Sequence, residues 1–179
     1  MNKAVFLDRD GTIIEDTNYL NSPTKIKFLP GAIDAIRKIN QSGFKTVIIS
    51  NQAGVAKGKI TPDELVLVDE AFIETISKEK GRIDAGYYCP HHPDFGSDCD
   101  CRKPKPGMIL KAAKDYQIDL KQSYMIGDKD IDVECGQNAG TKSIRILSNY
   151  ELSSSLKPDY FAKDLKEAVE WIIKDSTQR

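Results

Sequence analysis

Along the chain, short unbroken apolar runs alternate with longer stretches in which apolar residues recur every three or four positions. Ala4-Val5-Phe6-Leu7, Thr46-Val47-Ile48-Ile49 and Tyr124-Met125-Ile126 have no polar alternation, which suits strands covered on both faces. Ala85 to Tyr88, Ser143 to Leu147 and the short piece Tyr160-Phe161 complete the predicted strands. Between them, Pro30-Gly31 opens a helix carrying Ala32, Ile33, Ala35, Ile36 and Ile39, and Gly43 ends it. Thr61, Pro62, Asp63 and Glu64 read as an N-cap, a first-turn proline and first-turn acids, and Leu65, Val68, Phe72, Ile73 and Ile76 continue that helix. Further helices run from Pro106 through Ala113, from Ile131 to Ala139 and from Leu165 to Ile173. This β-α alternation predicts an α/β fold with a parallel sheet between helices and right-handed crossovers. The polar, turn-rich stretch from Glu15 to Lys27 reads as a loop beside the carboxyl ends of the strands.

Composition narrows the picture. The 179 residues are 40% hydrophobic, enough for one domain spanning residues 1–179 with a substantial core. Nowhere does an insertion of domain size (~50 residues) interrupt the alternation, so the expected site is open and uncapped. The net charge of −1 supplies no global field for nucleic acid or an anionic membrane. Without a run of ~18 apolar residues or a basic leader, the chain is expected to be a cytoplasmic monomer acting on a small molecule.

The chemistry sits where the runs stop. The first ends in Asp8-Arg9-Asp10-Gly11-Thr12, the second in Ser50-Asn51-Gln52, and the Tyr124 run in Gly127-Asp128-Lys129-Asp130-Ile131-Asp132; Arg102-Lys103-Pro104 lies between. Two carboxylates two residues apart in an extended segment lean toward one side and converge on a cation or phosphoryl group, and ligands of parallel sheets gather at strand carboxyl ends. Taken in order, these segments resemble the haloacid-dehalogenase (HAD) superfamily of phosphatases. The resemblance implies a HAD-like Rossmannoid fold and assigns Asp8 as nucleophile, forming an aspartyl-phosphate. Asp10 is then proton donor and later base. Mg²⁺ is expected on Asp8, the Asp10 main chain and Asp128, with Asp130 and Asp132 supporting from outside. Ser50 donates to phosphoryl oxygens and Lys103 neutralises charge.

A second constellation, Cys89-Pro90-His91-His92 with Cys99-Asp100-Cys101, has the donors for a tetrahedral Zn²⁺. Cys89, His91, Cys99 and Cys101 would fill all four positions, making the site structural, with His92 spare. Cys101 directly precedes Arg102 and Lys103, so such a metal would fix the turn that presents both cations. Cys135 is expected in the core.

Phe28-Leu29-Pro30-Gly31, Ser50-Asn51-Gln52-Ala53-Gly54, Cys89-Pro90-His91-His92-Pro93, Cys99-Asp100-Cys101-Arg102-Lys103-Pro104-Lys105-Pro106-Gly107-Met108 and the Asp8 motif together resemble the D-glycero-D-manno-heptose-1,7-bisphosphate 7-phosphatase family across residues 3 to 147. That resemblance implies removal of the 7-phosphate in nucleotide-activated heptose biosynthesis for bacterial surface polysaccharide. It implies substrate contacts from Asp16, Thr17, Asn18, Tyr19, Ser50, Asn51, Gln52, Ala53, Arg102, Lys103 and Lys129; the surplus of cations beside Lys103 further places Arg102 on the distal phosphate. Asn18 stands where the family usually has Gly, Ser50 where it has Thr, and Lys57 where it has Arg; the loop from His91 to Cys99 is short. The alternatives are a histidinol-phosphate phosphatase, which shares the Asp pair and Cys/His cluster, a non-catalytic zinc-stabilised phosphosugar-binding module, and a phosphotransferase or mutase.

Overall fold

The structure, a computed structural model, describes residues 1–96, 98–148, 153 and 155–178. Six strands form one parallel sheet: β1 (Ala4–Leu7), β2 (Lys45–Asn51), β3 (Ala85–Cys89), β4 (Tyr124–Gly127), β5 (Lys142–Ile146) and β6 (Tyr160–Ala162), in the order β3-β2-β1-β4-β5-β6. The chain winds outward from β1 to β3, then crosses back and winds outward from β4 to β6. The direction of winding therefore reverses between β1 and β4, and in open parallel sheets the crevice at such a reversal is the ligand site.

Five helices cover the faces: α1 (Ala32–Gln41), α2 (Pro62–Lys78), α3 (Gly107–Tyr116), α4 (Asp130–Ala139) and α5 (Leu165–Thr177). Alternate residues of β1 divide between two cores. Val5 and Leu7 pack with Ile36, Phe72 and Val169, while Ala4 and Phe6 pack with Met108, Ile109 and Cys135. All four β1 side chains are fully buried, the double coverage that its unbroken apolar run requires. No helix among the described residues is long and apolar enough to cross a membrane.

Local signals act as read. At the start of α2, Glu64 N donates to Thr61 Oγ1 at 3.1 Å and Thr61 N to Glu64 Oε2 at 2.7 Å, a reciprocal capping box. The structure differs mainly at element edges. β2 continues two residues past Ile49 to Asn51, because Ser50 and Asn51 still pair with Tyr88 and Cys89. β5 begins and ends one residue earlier than expected, and short 3₁₀ turns occur at Pro23–Lys25, Pro93–Phe95 and Leu120–Gln122.

Candidate active site

Asp8 is the first residue past β1. Its N–H donates to the Ile126 carbonyl at 3.0 Å, so the β1–β4 ladder itself fixes its place. The chain then folds tightly: the Arg9 carbonyl accepts from Ile13 N at 2.9 Å and Ile14 N at 3.2 Å. Gly11 permits this turn with φ +87°, and a Cβ there would sit 2.4 Å from Asp128 Oδ2. Only glycine satisfies both the left-handed conformation and the close approach of the β4 loop. That loop brings Asp128, whose side chain is nearly fully buried, and Asp132 in the first turn of α4, whose Oδ2 accepts from Lys129 N at 3.0 Å.

Lys103 reaches into this group from the segment before α3. Its Nζ donates to Asp8 Oδ1 at 2.6 Å and to the Ile49 carbonyl at 2.8 Å, and lies 2.6 Å from Asp132 Oδ1. Two hydrogen bonds and two ion pairs thus compensate the charge of a lysine this deeply buried. Asn51 holds the Lys103 backbone from both sides, accepting from its N–H at 3.0 Å and donating to its carbonyl at 3.1 Å. This bracketing role of Asn51 is not readable from a strand-end amide alone.

One ammonium, that of Lys103, serves two carboxylates here, Asp8 and Asp132. Burial pushes the Asp8 carboxyl up to about 7 despite Lys103, with Asp132 and Asp10 adding to the rise. Asp128 is likewise pushed up to about 6 by burial, against Lys129. For Lys103, burial opposes the charge, but Asp132 and Asp8 outweigh it and hold the ammonium protonated. Oxygens of Asp8, Asp128 and Asp132 all lie within 4.8 Å of one another, and Asp128 Oδ1 is buried without a hydrogen-bond partner. An oxygen-only donor set with surplus negative charge and an unsatisfied acceptor fits a hard divalent cation. Asp132, expected outside this group, has an oxygen within it, because the first turn of α4 folds back over Gly127. Asp130 does stand apart, 3.5 Å from Arg145.

Asp10 turns away from Asp8 toward the wall of a cleft. Its carboxylate accepts from Arg9 Nη2 at 3.0 Å and from Gln52 Nε2 at 2.8 Å, and Gln52 Nε2 also donates to Ser50 Oγ at 2.8 Å. Ser50 keeps its own hydroxyl proton to donate. The cleft, about 180 Å³, is lined by Asp10, Asp16, Asn18, Tyr19, Ala53 and Lys129, among others, with Asn51 and Gln52 at its base. Lys129 Nζ pairs with Asp16 Oδ2 at 2.8 Å across it. Asn18 has φ +66° and donates from its N–H to Asp16 Oδ1 at 3.0 Å, a left-handed turn that Asn tolerates in place of Gly. Thr17 contributes a carbonyl to Tyr19 N at 2.9 Å but does not line the cleft. Nor does Arg102, whose guanidinium donates to the His91 carbonyl at 3.1 Å.

The Cys/His cluster lies beside this site. Cys89 Sγ is 2.9 Å from Cys101 Sγ and 3.6 Å from Cys99 Sγ, and His91 Nδ1 is 3.3 Å from Cys101 Sγ and 3.7 Å from Cys89 Sγ. A tetrahedral zinc with thiolate bonds of ~2.3 Å would place its sulfurs about 3.8 Å apart; these donors converge as such a set would, with sulfurs 2.9 to 3.6 Å apart that would spread to admit the ion. His92 does not join them; its Nδ1 accepts from Asp94 N at 3.2 Å. The cluster ties to the Lys103 segment through Gly107, whose N–H donates to the Asp100 carbonyl at 3.1 Å. A Cβ at Gly107 would sit 2.1 Å from that oxygen. Cys135 is buried on α4, and burial pushes its thiol up to about 12.

Comparison with known proteins converges on one group. The profile of the HAD-hydrolase-like family matches residues 100–168. The chain is 42% identical over 146 residues to the D-glycero-beta-D-manno-heptose-1,7-bisphosphate 7-phosphatase of Haemophilus influenzae, covering 79% of each chain. It is 38% identical over 174 residues to that of Helicobacter pylori, covering 96% of this chain and 97% of the relative. The crystal structure of D,D-heptose 1,7-bisphosphate phosphatase from B. bronchiseptica, complexed with magnesium and phosphate, superposes with a TM-score of 0.84 at 29% identity, covering 97% and 99% of the two chains.

Proposed function

The chain belongs to the D-glycero-beta-D-manno-heptose-1,7-bisphosphate 7-phosphatase family of HAD-like phosphoric monoester hydrolases, and from that premise we propose that it removes the 7-phosphate of D-glycero-D-manno-heptose 1,7-bisphosphate through an aspartyl-phosphate on Asp8. The observation that carries the reading is Asp8 itself: a carboxylate fixed by the β1–β4 ladder, oriented by Lys103 at 2.6 Å, and placed two residues before a second carboxylate, Asp10, that lines the cleft. A bare binding site for a phosphate dianion gains nothing from such a pair of acids.

Asp8, Asp128 and the Asp10 main chain would hold Mg²⁺, with Asp132 adjoining them; when bound, the cation offsets the charge of the approaching phosphate. The residues do the rest. Lys103 holds the attacking Asp8 oxygen in line, and Ser50 O–H donates to a phosphoryl oxygen. As the ester bond breaks, Asp10 gives a proton to the departing sugar oxygen, then takes one from the water that cleaves the aspartyl-phosphate. Tyr19, Asn18, Asn51 and Ala53 line the space for the sugar. Lys129 and Arg102, released from Asp16 and from the His91 carbonyl, supply charge for the distal phosphate. Cys89, His91, Cys99 and Cys101 would hold Zn²⁺, which would fix the Arg102-Lys103 turn and supply no chemistry, since four protein donors leave no position for water.

The reading takes residues 1–179 as one domain acting in the cytoplasm as a monomer, in heptose biosynthesis for surface polysaccharide. A screen of phosphate release with Mg²⁺ over heptose 1,7-bisphosphate, histidinol phosphate and nucleotides tests it. Fastest hydrolysis of the heptose bisphosphate is expected, and faster hydrolysis of histidinol phosphate would overturn the assignment. Lys129 at the cleft, and Arg102 once released from the His91 carbonyl, favour the bisphosphate, because they would repel the ammonium of histidinol phosphate.

A further inference from the structure

Arg9 is among the largest fully buried side chains of the protein, with no exposed surface. Arginine is almost never fully buried unless paired, and its partner here is Asp10. Nε donates to Asp10 Oδ2 at 3.2 Å, and Nη2 lies 3.3 Å and 3.0 Å from Oδ1 and Oδ2. Both carboxylate oxygens are therefore gripped by one planar fork, a geometry that lysine cannot reproduce.

The fork is itself held from behind. The Arg9 guanidinium carbon lies 5.8 Å from the centre of the Tyr88 ring on β3, and the Tyr88 hydroxyl donates to Asp69 Oδ1 on α2. Gly86, two residues before Tyr88 on the same strand face, leaves the room: a Cβ there would sit 2.9 Å from the Tyr88 ring and hydroxyl. The resulting chain of contacts runs Asp69, Tyr88, Arg9, Asp10, and closes on the front side through Gln52 and Ser50. Asp10 nevertheless lines the cleft and keeps 19% of its side chain exposed. The clamp presents the carboxylate to the cleft; it does not bury it.

We propose that Arg9, backed by Tyr88 and Asp69, is a positioning residue that sets the Asp10 carboxylate where the departing ester oxygen collects its proton. This rests on Asp10 being the proton donor. In that step the Asp8 oxygen–phosphorus bond forms while the ester phosphorus–oxygen bond breaks; the electron pair of the broken bond stays on the sugar oxygen, which takes the Asp10 proton. Misplacing the donor therefore harms only leaving groups that need protonation.

The test compares kcat/KM for heptose 1,7-bisphosphate, whose leaving alkoxide needs a proton, with p-nitrophenyl phosphate, whose leaving phenolate does not. Because kcat/KM reports only the steps through departure of the leaving group, the later role of Asp10 as base does not enter. Asp10→Asn should lose ~10²–10⁴-fold on the sugar phosphate and less than about tenfold on the aryl phosphate. Arg9→Met should show the same selectivity with a loss of ~10²-fold, Arg9→Lys should recover part of it, and Tyr88→Phe should lose a few-fold on the sugar phosphate alone. Tyr88→Phe decides the matter if Arg9→Met does not fold. Equal losses on both substrates in the Arg9 and Tyr88 variants, beside a selective Asp10→Asn, would overturn the positioning role. A gain in either variant would show that the clamp parks Asp10 away from substrate, and overturn it too. Equal losses in Asp10→Asn would instead overturn Asp10 as the proton donor, and the inference with it.

Discussion

The protein carries two clusters of ligating side chains side by side, built on opposite principles. Asp8, Asp128 and Asp132 sit on strand ends and a helix start and are nearly fully buried, and two of them, Asp8 and Asp132, share the ammonium of Lys103. Cys89, His91, Cys99 and Cys101 come largely from a loop; Cys99 and Cys101 are only partly buried and His91 is exposed. The carboxylate cluster is anchored on regular elements and incomplete, with an unsatisfied Asp128 oxygen. The Cys/His cluster is loop-borne and complete, with four donors closing on one another. Chemistry needs the first kind, because a vacant position and surplus charge are what an incoming phosphate and cation occupy. Holding a loop in place needs the second. Each perturbation below touches one cluster and asks whether the other responds.

The largest effect is expected from Asp8→Asn. Turnover of the sugar bisphosphate should fall to background, because the attacking oxygen is lost. The circular dichroism spectrum should be unchanged and the Cys/His cluster should keep its metal, since Asp8 is placed by the backbone ladder. Substantial Mg²⁺-dependent activity in this variant, after excluding deamidation back to Asp, would contradict the nucleophile assignment.

Opening the other cluster should do the reverse. Stripping metal with a strong chelator, or Cys101→Ser, should lower the melting temperature by several degrees and raise KM. The Arg102-Lys103 turn then loses its anchor while Asp8 stays in place. Elemental analysis should find about one zinc per chain in protein purified without chelator. No zinc, with unchanged melting after chelation, would remove this site.

A smaller effect follows from the protons. Asp8 and Asp128 are held above their ordinary value of 3.8, up to about 7 and about 6, so without a cation the folded chain binds protons more tightly than the unfolded one. Their contribution to stability is full below the ordinary value and is lost as pH rises through 6 to 7. A divalent cation favours the ionised carboxylates, so the gain in melting temperature on adding Mg²⁺ should grow between about pH 5 and pH 8. A gain independent of pH would mean the cation binds elsewhere.

The smallest is Arg102→Ala. Its guanidinium rests on the carbonyl of His91, a member of the Cys/His cluster. KM for the bisphosphate should rise about tenfold, the value of one charge-assisted contact of ~1.4 kcal/mol. A matched monophosphate should be little affected. Equal losses on both would restrict Arg102 to bracing the loop.

How far the sequence could be read follows the same division. The unbroken runs at Ala4–Leu7 and Tyr124–Ile126 specify buried parallel strands, and the acids that follow them mark the site, because strand ends converge whatever the loops do. The Cys/His spacing is equally direct. What escaped lies in side chains whose partners are distant in sequence. Asp132 joins the carboxylates only because α4 starts with its first turn folded over Gly127, and Asn51 grips a backbone 52 residues away. Nothing in the sequence marks Arg9 as buried. Its burial depends on Tyr88 and Asp69, brought over it by β3 and α2, and no periodicity records that meeting.

The central claim is that Asp8 carries the phosphoryl group. Rapid acid quench of the Mg²⁺-loaded protein with heptose 1,7-bisphosphate labelled at the 7-phosphate, followed by peptide mapping, tests it directly. The account predicts transient label on the peptide containing Asp8, absent from Asp8→Asn. Turnover with label at no quench time, or with label carried by another residue, would contradict it.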